Sequence, residues 1–451
     1  MKSNRKTVYL IRMKLAILTL VFLSIFPMNI NAQTAEEFAA AWERQHVSNI
    51  LPSNVRHKDL QKYLENLKKL GVKVDEVGRS YAGREIYQIE WGKGATKIFM
   101  WSQMHGDEPT ATSALVDMFT FLQNNRDKLA WVKKLENSVT IRAVPMLNPD
   151  GAELYQRRNL QGIDINRDAR NLQTPEGRLL KKLRDEWKPE IGFNLHNQNP
   201  LTTVGKTPKQ AAISLLAVSG NPKGATYAGH ERNKRISAVM IAALDKFIAG
   251  HIGRYDDEYN PRAFGDRISE WGTPVILIET GALHGRDEMF LVKMNFIANL
   301  TALQSIVDGS EKRADAKVYE NLPFNDSGNL YSFLFRKANI INFAESETPF
   351  VGDVAINAER RRAETLSPVF VQEIGDLSVF SGLEEYDVSD YFLVSKTGRL
   401  KIGSPGEFLF YKKTRVIDWK AKDLEKKYAP DAIFSNGKWT KPLPPKASLK
   451  S

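Results

Sequence analysis

Lys97-Ile98-Phe99-Met100-Trp101-Ser102-Gln103-Met104-His105-Gly106-Asp107-Glu108-Pro109 is the stretch on which the reading of this chain turns. Its first five residues form a short, largely apolar run with Gly92 and Gly94 just upstream, which reads as a buried strand. Pro109 suits the first turn of a helix, and Leu115, Met118, Phe119 and Leu122 then recur at helical spacing. His105 and Glu108 stand three apart in the polar loop between strand and helix, so an imidazole and a carboxylate can converge on one cation. Zinc accepts both ligand types, and a third protein ligand plus water makes a catalytic rather than a structural site. The same four residues also suit a polar loop that caps a helix, so the rest of the chain has to decide.

Outward from this stretch the pattern alternates between strands and helices. Upstream, Glu36 to Gln45 and His57 to Leu70 have apolar residues at helical spacing, and Val77 to Tyr87 reads as a strand pair around a Gly turn. Downstream, Val139 to Val144 is an apolar strand leading into the turn Leu147-Asn148-Pro149-Asp150-Gly151. Residues 155–168 form a loop rich in hydrogen-bonding groups. Its paired Arg157 and Arg158 suit a carboxylate substrate and a developing oxyanion, because guanidinium binds oxygens bidentately. A helix from Thr174 to Trp187 precedes Ile191-Gly192-Phe193-Asn194-Leu195-His196, a strand that ends on a histidine. Ligands and catalytic groups of α/β sheets sit just beyond such strand ends. Residues 197–229 read as loop, 231–248 as helix, and Tyr255 to Trp271 as a loop over a pocket. Val275-Ile276-Leu277-Ile278-Glu279 is a buried strand that ends on a carboxylate, which is costly unless paired or useful. A last helix covers about 287 to 307.

Three further features bound the function. Lys2, Arg5, Lys6, Arg12 and Lys14, then the apolar Leu15 to Phe26 and the small-residue site Ile30-Asn31-Ala32, predict a signal peptide over 1–32 and an exported, periplasmic or secreted protein beginning at Gln33. With no Cys at the cleavage site, no lipid anchor is expected there, and no stable membrane anchor remains after cleavage. Cleavage takes five of the eleven excess positive charges and leaves +6, spread over the chain without a nucleic-acid motif, so no nucleic-acid partner is expected. Cysteine is absent, so any metal has to be held by His and carboxylates. The polar break Asp308-Gly309-Ser310-Glu311-Lys312-Arg313 marks a boundary. Residues 33–308 would form the catalytic domain, 309–439 a β-rich accessory domain (Leu330–Phe335, Pro368–Ile374, Tyr391–Val394 and Phe408–Tyr411), and 440–451 a flexible tail. No internal repeat is found, and the oligomeric state is left open.

Taken together, Gly78-Arg79-Ser80-Tyr81-x-Gly83-Arg84, His105-x-x-Glu108, Asn148-Pro149-Asp150-Gly151, Gly162-Ile163-Asp164-Ile165-Asn166-Arg167, Asn194-Leu195-His196 and the strand ending at Glu279 resemble, in order, the zinc metallocarboxypeptidases of the carboxypeptidase A-like (funnelin) type, over about residues 57–307. The resemblance implies a mixed, twisted α/β sheet with helices on both faces, followed here by the small β-rich domain. It implies one zinc per chain held by His105, Glu108 and His196, with Asp164 orienting His105. The substrate would be a peptide with a free C-terminus, its carboxylate gripped by Asn166 and Arg167. Glu279 would be general base and then general acid, and Arg157, with Arg158 as its rival, would polarise the scissile carbonyl. For the substrate-capping tyrosine, spacing favours Tyr259 over Tyr255.

Two positions depart from the family pattern. Asp107 stands where pancreatic members have Arg, and Asp168 follows Asn-Arg where Asn is common, which places a negative charge beside the carboxylate clamp. These keep open a zinc amidase acting on cell-wall peptides or N-acyl amino acids. A non-catalytic binding protein that keeps the fold is the alternative of another class, and Glu279 with the full ligand set argues against it. His46, His57, His230, His251 and His284 fall outside the motifs and are expected in surface or helix-end roles.

Overall fold

The computed structural model describes residues 32–223, 227–256, 258–359, 361–363 and 368–441. The expected signal peptide up to residue 31 and the tail from 442 lie outside the described residues.

Nine strands belong to the N-terminal part: β1 (Lys73–Arg79), β2 (Glu85–Gly92), β3 (Thr96–Ser102), β4 (Val139–Val144), β5 (Ile191–Asn197), β6 (Thr203–Val204), β7 (Ile213–Val218), β8 (Ile252–Arg254) and β9 (Val275–Thr280). All but β6 join one sheet in the order β1-β2-β4-β3-β5-β9-β7-β8. Its middle, β4-β3-β5-β9, is parallel, while β1–β2, β2–β4 and β7–β9 are antiparallel. Side chains alternate between faces along a strand, and the core divides accordingly. Ile98, Met100, Ile276 and Ile278 pack with the helices Ala35–Gln45, Thr110–Asn125, Ala228–Ile248 and Glu288–Asp308. Phe99, Trp101, Val275 and Leu277 pack with Pro175–Trp187 and Phe264–Glu270 on the other face. This is the expected mixed sheet with helices on both sides. Glu288–Asp308 is long and apolar enough to cross a membrane, but 72% of its apolar window is buried within the protein, as in a core helix.

Two elements differ from the expectations. The stretch expected as loop after residue 197 contains β7, an interior strand whose six residues are all buried. Buried on both faces, it shows no alternation to betray it. The expected loop before Trp271 contains the helix Phe264–Glu270, whose Phe264 and Ile268 fill the second core.

The expected β-rich region is a second sheet. Strands β11 (Leu330–Ile341), β12 (Phe350–Ala358), β13 (Val369–Gly375), β14 (Ser381–Asp387), β15 (Tyr391–Ser395), β16 (Phe408–Lys412), β17 (Ala432–Ser435) and β18 (Lys438–Trp439) run in the order β13-β12-β11-β15-β16-β17-β18, with β14 paired to β11. Between the two sheets, Tyr319 is buried in the larger core and its hydroxyl accepts from Ala217 N at 3.0 Å. The short β10 (Asn325–Asp326) pairs with β6. The segment after the polar break thus lies against the first sheet before the chain enters the second.

Candidate active site

The site is built at the carboxyl ends of β3, β5 and β9. At the end of β3, Gln103 takes a left-handed backbone (φ 50°) that turns the chain off the sheet. Its side chain holds the turn, with Nε2 donating to Gly106 O at 3.0 Å and Oε1 accepting from Thr112 Oγ1 at 2.7 Å. Gly106 then touches another backbone: a Cβ there would lie 1.9 Å from Gly151 C. Asn148 completes the joint, accepting from Gly151 N at 2.8 Å and donating to Met104 O at 3.2 Å. Asp150, fully buried, accepts from Ser80 Oγ, Ala82 N and Arg84 Nη1 at 2.8, 2.9 and 2.6 Å. The Gly78–Arg84 strand pair and the Asn-Pro-Asp-Gly turn are therefore scaffolding for the His105–Glu108 loop. Gly106→Ala should cost about 1–3 kcal/mol of stability, the usual scale of overpacking, and weaken metal binding. A denaturation midpoint with a zinc titration checks this, and unchanged values would contradict the joint.

Glu108 lies between two imidazoles. Its Oε1 is 2.8 Å from His105 Nδ1 and its Oε2 is 2.7 Å from His196 Nδ1, and one ligand atom from each residue lies within 4.8 Å of the others. All three residues are buried. Asp164 Oδ1 sits 3.1 Å from His105 Nε2, which turns Nδ1 toward the shared point. The electrostatics fit a cation there. Burial disfavours a charged His105 ring, yet Glu108 and Asp164 outweigh it and raise its pKa to about 9. Burial would raise Glu108, but the two histidines hold it well below the usual carboxylate range. Burial lowers His196 despite Glu108. Two nitrogen donors and a carboxylate, all inward-facing, suit zinc.

Glu279 stands directly opposite His196 in the β5–β9 register and is 7% exposed. It shares a cavity of about 610 Å³ with His105, Glu108, Arg157, Asn166, Arg167 and Tyr255. Arg157 Nε meets Asp164 Oδ2 at 2.9 Å and its Nη1 meets Glu108 Oε1 at 3.2 Å. Arg158 instead donates to Gly162 O and is not among the residues lining the cavity. Asn166 Oδ1 accepts from Phe264 N at 2.8 Å, which leaves the amide nitrogen of Asn166 as the group free to donate.

Some expected site residues lie elsewhere. The Tyr259 hydroxyl donates to Glu270 at 2.7 Å, and Tyr259 is not among the residues lining the cavity. Tyr255 lines it, and the neighbouring Glu279 charge, with burial, pushes its phenol up to about 12. Asp168 does not face the clamp: buried, it accepts from Gln173 N, Thr174 N and Thr174 Oγ1. Ring nitrogens of His46, His57, His230 and His251 hydrogen-bond to backbone carbonyls of Trp42, Glu85, Ala217 and Gln210, as structural histidines do. Asp256, Glu258 and Asp266, and the distant Asn325, Asp326 and Ser327, also line the cavity. Asn325 is held there by Gln198 and Ser214.

His105, Glu108 and His196 thus form a buried cluster that could hold a metal ion at the strand ends of a mixed α/β sheet. Residues 59–211 match the family model described as zinc carboxypeptidase. The stretch includes His105, Glu108, Asp164, Asn166, Arg167 and His196, while Glu279 lies beyond it. The chain is 31% identical over 130 residues to carboxypeptidase D of Drosophila melanogaster, covering 25% of this chain and 9% of that protein. It is 30% identical over 102 residues to carboxypeptidase 2 of Trichophyton rubrum, covering 22% and 18%. The chain spans about a quarter or less of the length of these curated relatives. Among solved structures, a metallo-carboxypeptidase from Burkholderia cenocepacia overlaps 57% of this chain and 69% of its own, at 17% identity and a TM-score of 0.46.

Proposed function

We propose that this protein is an exported zinc carboxypeptidase that removes the C-terminal residue of peptides, with one zinc per chain held by His105, Glu108 and His196. The observation that carries the reading is the cavity that joins this ligand set to Glu279 and to the Asn166–Arg167 pair. When bound, the zinc supplies Lewis acidity toward the scissile carbonyl and acidifies water. The protein's own groups do the rest. Arg167 grips the terminal carboxylate bidentately and Asn166 donates its free amide N–H. Glu279 takes the proton of the attacking water and passes it to the departing amine. Arg157, held at Nε by Asp164, offers its outer nitrogen to the developing oxyanion. Tyr255, with its phenol protonated at neutral pH, is the tyrosine in place to cap the substrate.

Arg167→Ala tests the clamp. KM should rise about 10–100-fold for substrates with a free C-terminus, the scale of a charge-assisted contact, with little change for blocked ones. An equal effect on both would remove Arg167 from the clamp.

The zinc amidase is the second reading, and Asp107, Asp256, Glu258 and Asp266 in the cavity wall favour it by suiting an amino-bearing substrate. Asp168 lends it nothing, being committed to Thr174 and Gln173. Export rests on the basic and apolar pattern of residues 1–32. Mass spectrometry of the native product should find Gln33, or its cyclised form, at the N-terminus. Met1 intact on the soluble protein would contradict export.

A further inference from the structure

A second cavity, of about 720 Å³, adjoins the first, and Asn197 and Asn199 line both. One wall is the Leu283–Glu288 segment that follows β9. The opposite wall comes from the second sheet: Ser332 on β11, Asn357 and Ala358 at the end of β12, and Glu359 and Arg361 beyond it. This wall is fastened to the N-terminal part. Arg362, buried, donates to Ser53 O at 2.9 Å, Ala152 O at 2.6 Å and Glu153 O at 2.9 Å, and lies over the Tyr155 ring at 5.2 Å. Ala363 N adds a bond to Ser53 Oγ at 3.0 Å.

We infer that this cleft binds the part of a peptide upstream of the scissile bond, so that the C-terminal β-rich region forms one side of the substrate site. The inference rests on the carboxypeptidase reading above and deepens it. Arg167 and Asn166 hold the last residue at one end of the first cavity. The remaining chain has to leave past the zinc ligands, and Asn197, directly after His196, belongs to the cavity that continues the route. An extended peptide of five or six residues spans about 17–20 Å, and the residues shared by the two cavities make the route continuous. The mixed charges of the walls, Arg286 and Arg361 against Asp287, Glu288 and Glu359, suit a polar peptide rather than an apolar ligand. The preferred substrate class is therefore the oligopeptide, not the acyl dipeptide, because contacts remote from the reacting bond raise kcat/KM.

The test uses N-acylated peptides of two to six residues that share one C-terminal dipeptide, on the full-length mature protein and its Ala358→Trp variant. Ala358 is exposed on the cleft wall and away from the zinc ligands, so Trp there fills the cleft without entering the core. In the wild type kcat/KM should rise about tenfold or more from dipeptide to hexapeptide. Ala358→Trp should abolish that rise and leave the dipeptide unchanged. Length-independent rates, or an equal loss on both substrates in the variant, would overturn the inference. Calorimetric binding of the same two peptides separates the two levels of the claim. If nothing is hydrolysed but the hexapeptide binds more tightly and Ala358→Trp removes the gain, the cleft stands and the enzymatic reading falls. If the two bind equally, the cleft falls.

Discussion

Glu279→Gln should lower kcat by at least ~10²-fold, the scale of a lost general base, while zinc content and folding stay nearly intact. The substitution keeps size and shape at a buried position opposite His196 and removes only the capacity to carry a proton. The metal contacts are expected to survive because Glu108, not Glu279, lies between the two imidazoles, one oxygen to each Nδ1. KM should change little, since the proposed carboxylate clamp of Arg167 and Asn166 is left untouched. Metal analysis and steady-state rates on one preparation check both halves. Loss of zinc in the Gln variant would make Glu279 a ligand, and full activity would place the base elsewhere.

His196→Ala should damage the metal site severely. Loss of an outer hydrogen-bond partner alone costs ~10–100-fold in metal affinity, so removing a direct ligand should cost more than ~10²-fold and take activity with it. The ring occupies a fully buried position on β5, and its loss leaves Glu108 Oε2 with only Asn197 N at 3.1 Å. His105→Ala should behave alike, whereas Asp164→Asn should fall within the outer-partner range because Asp164 touches His105 through Nε2 only. Equilibrium dialysis against zinc ranks the three. Unchanged metal content in both histidine variants would refute the ligand set.

What was legible in the sequence, and what was not, follows from how each signal arises. His196 and Glu279 end apolar runs, and the parallel register that sets them side by side follows once both strands are recognised. The helices Ala35–Gln45 and His57–Lys69 show their period because one side of each meets solvent, whereas Thr110–Leu122 is buried on every side. Interior β7 has no solvent side, so Ile213–Val218 carries no alternation to mark it as a strand. β12 is hidden because Gly352, Asp353 and Asn357 interrupt its apolar residues. Asp168 shows that formal charge says nothing about direction: the carboxylate is spent on Thr174 and Gln173. Tyr255 and Tyr259 are four residues apart in one loop, and spacing could not tell which faces the cavity. The Asn325–Ser327 contribution comes from over a hundred residues beyond His196, and local pattern carries no trace of it.

The central claim is zinc-dependent removal of C-terminal residues. It is tested most directly by offering one peptide in free-acid and C-terminally amidated forms to the mature protein, as purified, after chelation, and after zinc is returned, with products read by mass spectrometry. The free acid should lose its last residue, the amide should be cleaved far more slowly, chelation should stop the reaction, and one equivalent of zinc per chain should restore it. Cleavage that ignores both the amide and the chelator, or no cleavage of either peptide by the zinc-loaded protein, would contradict the account.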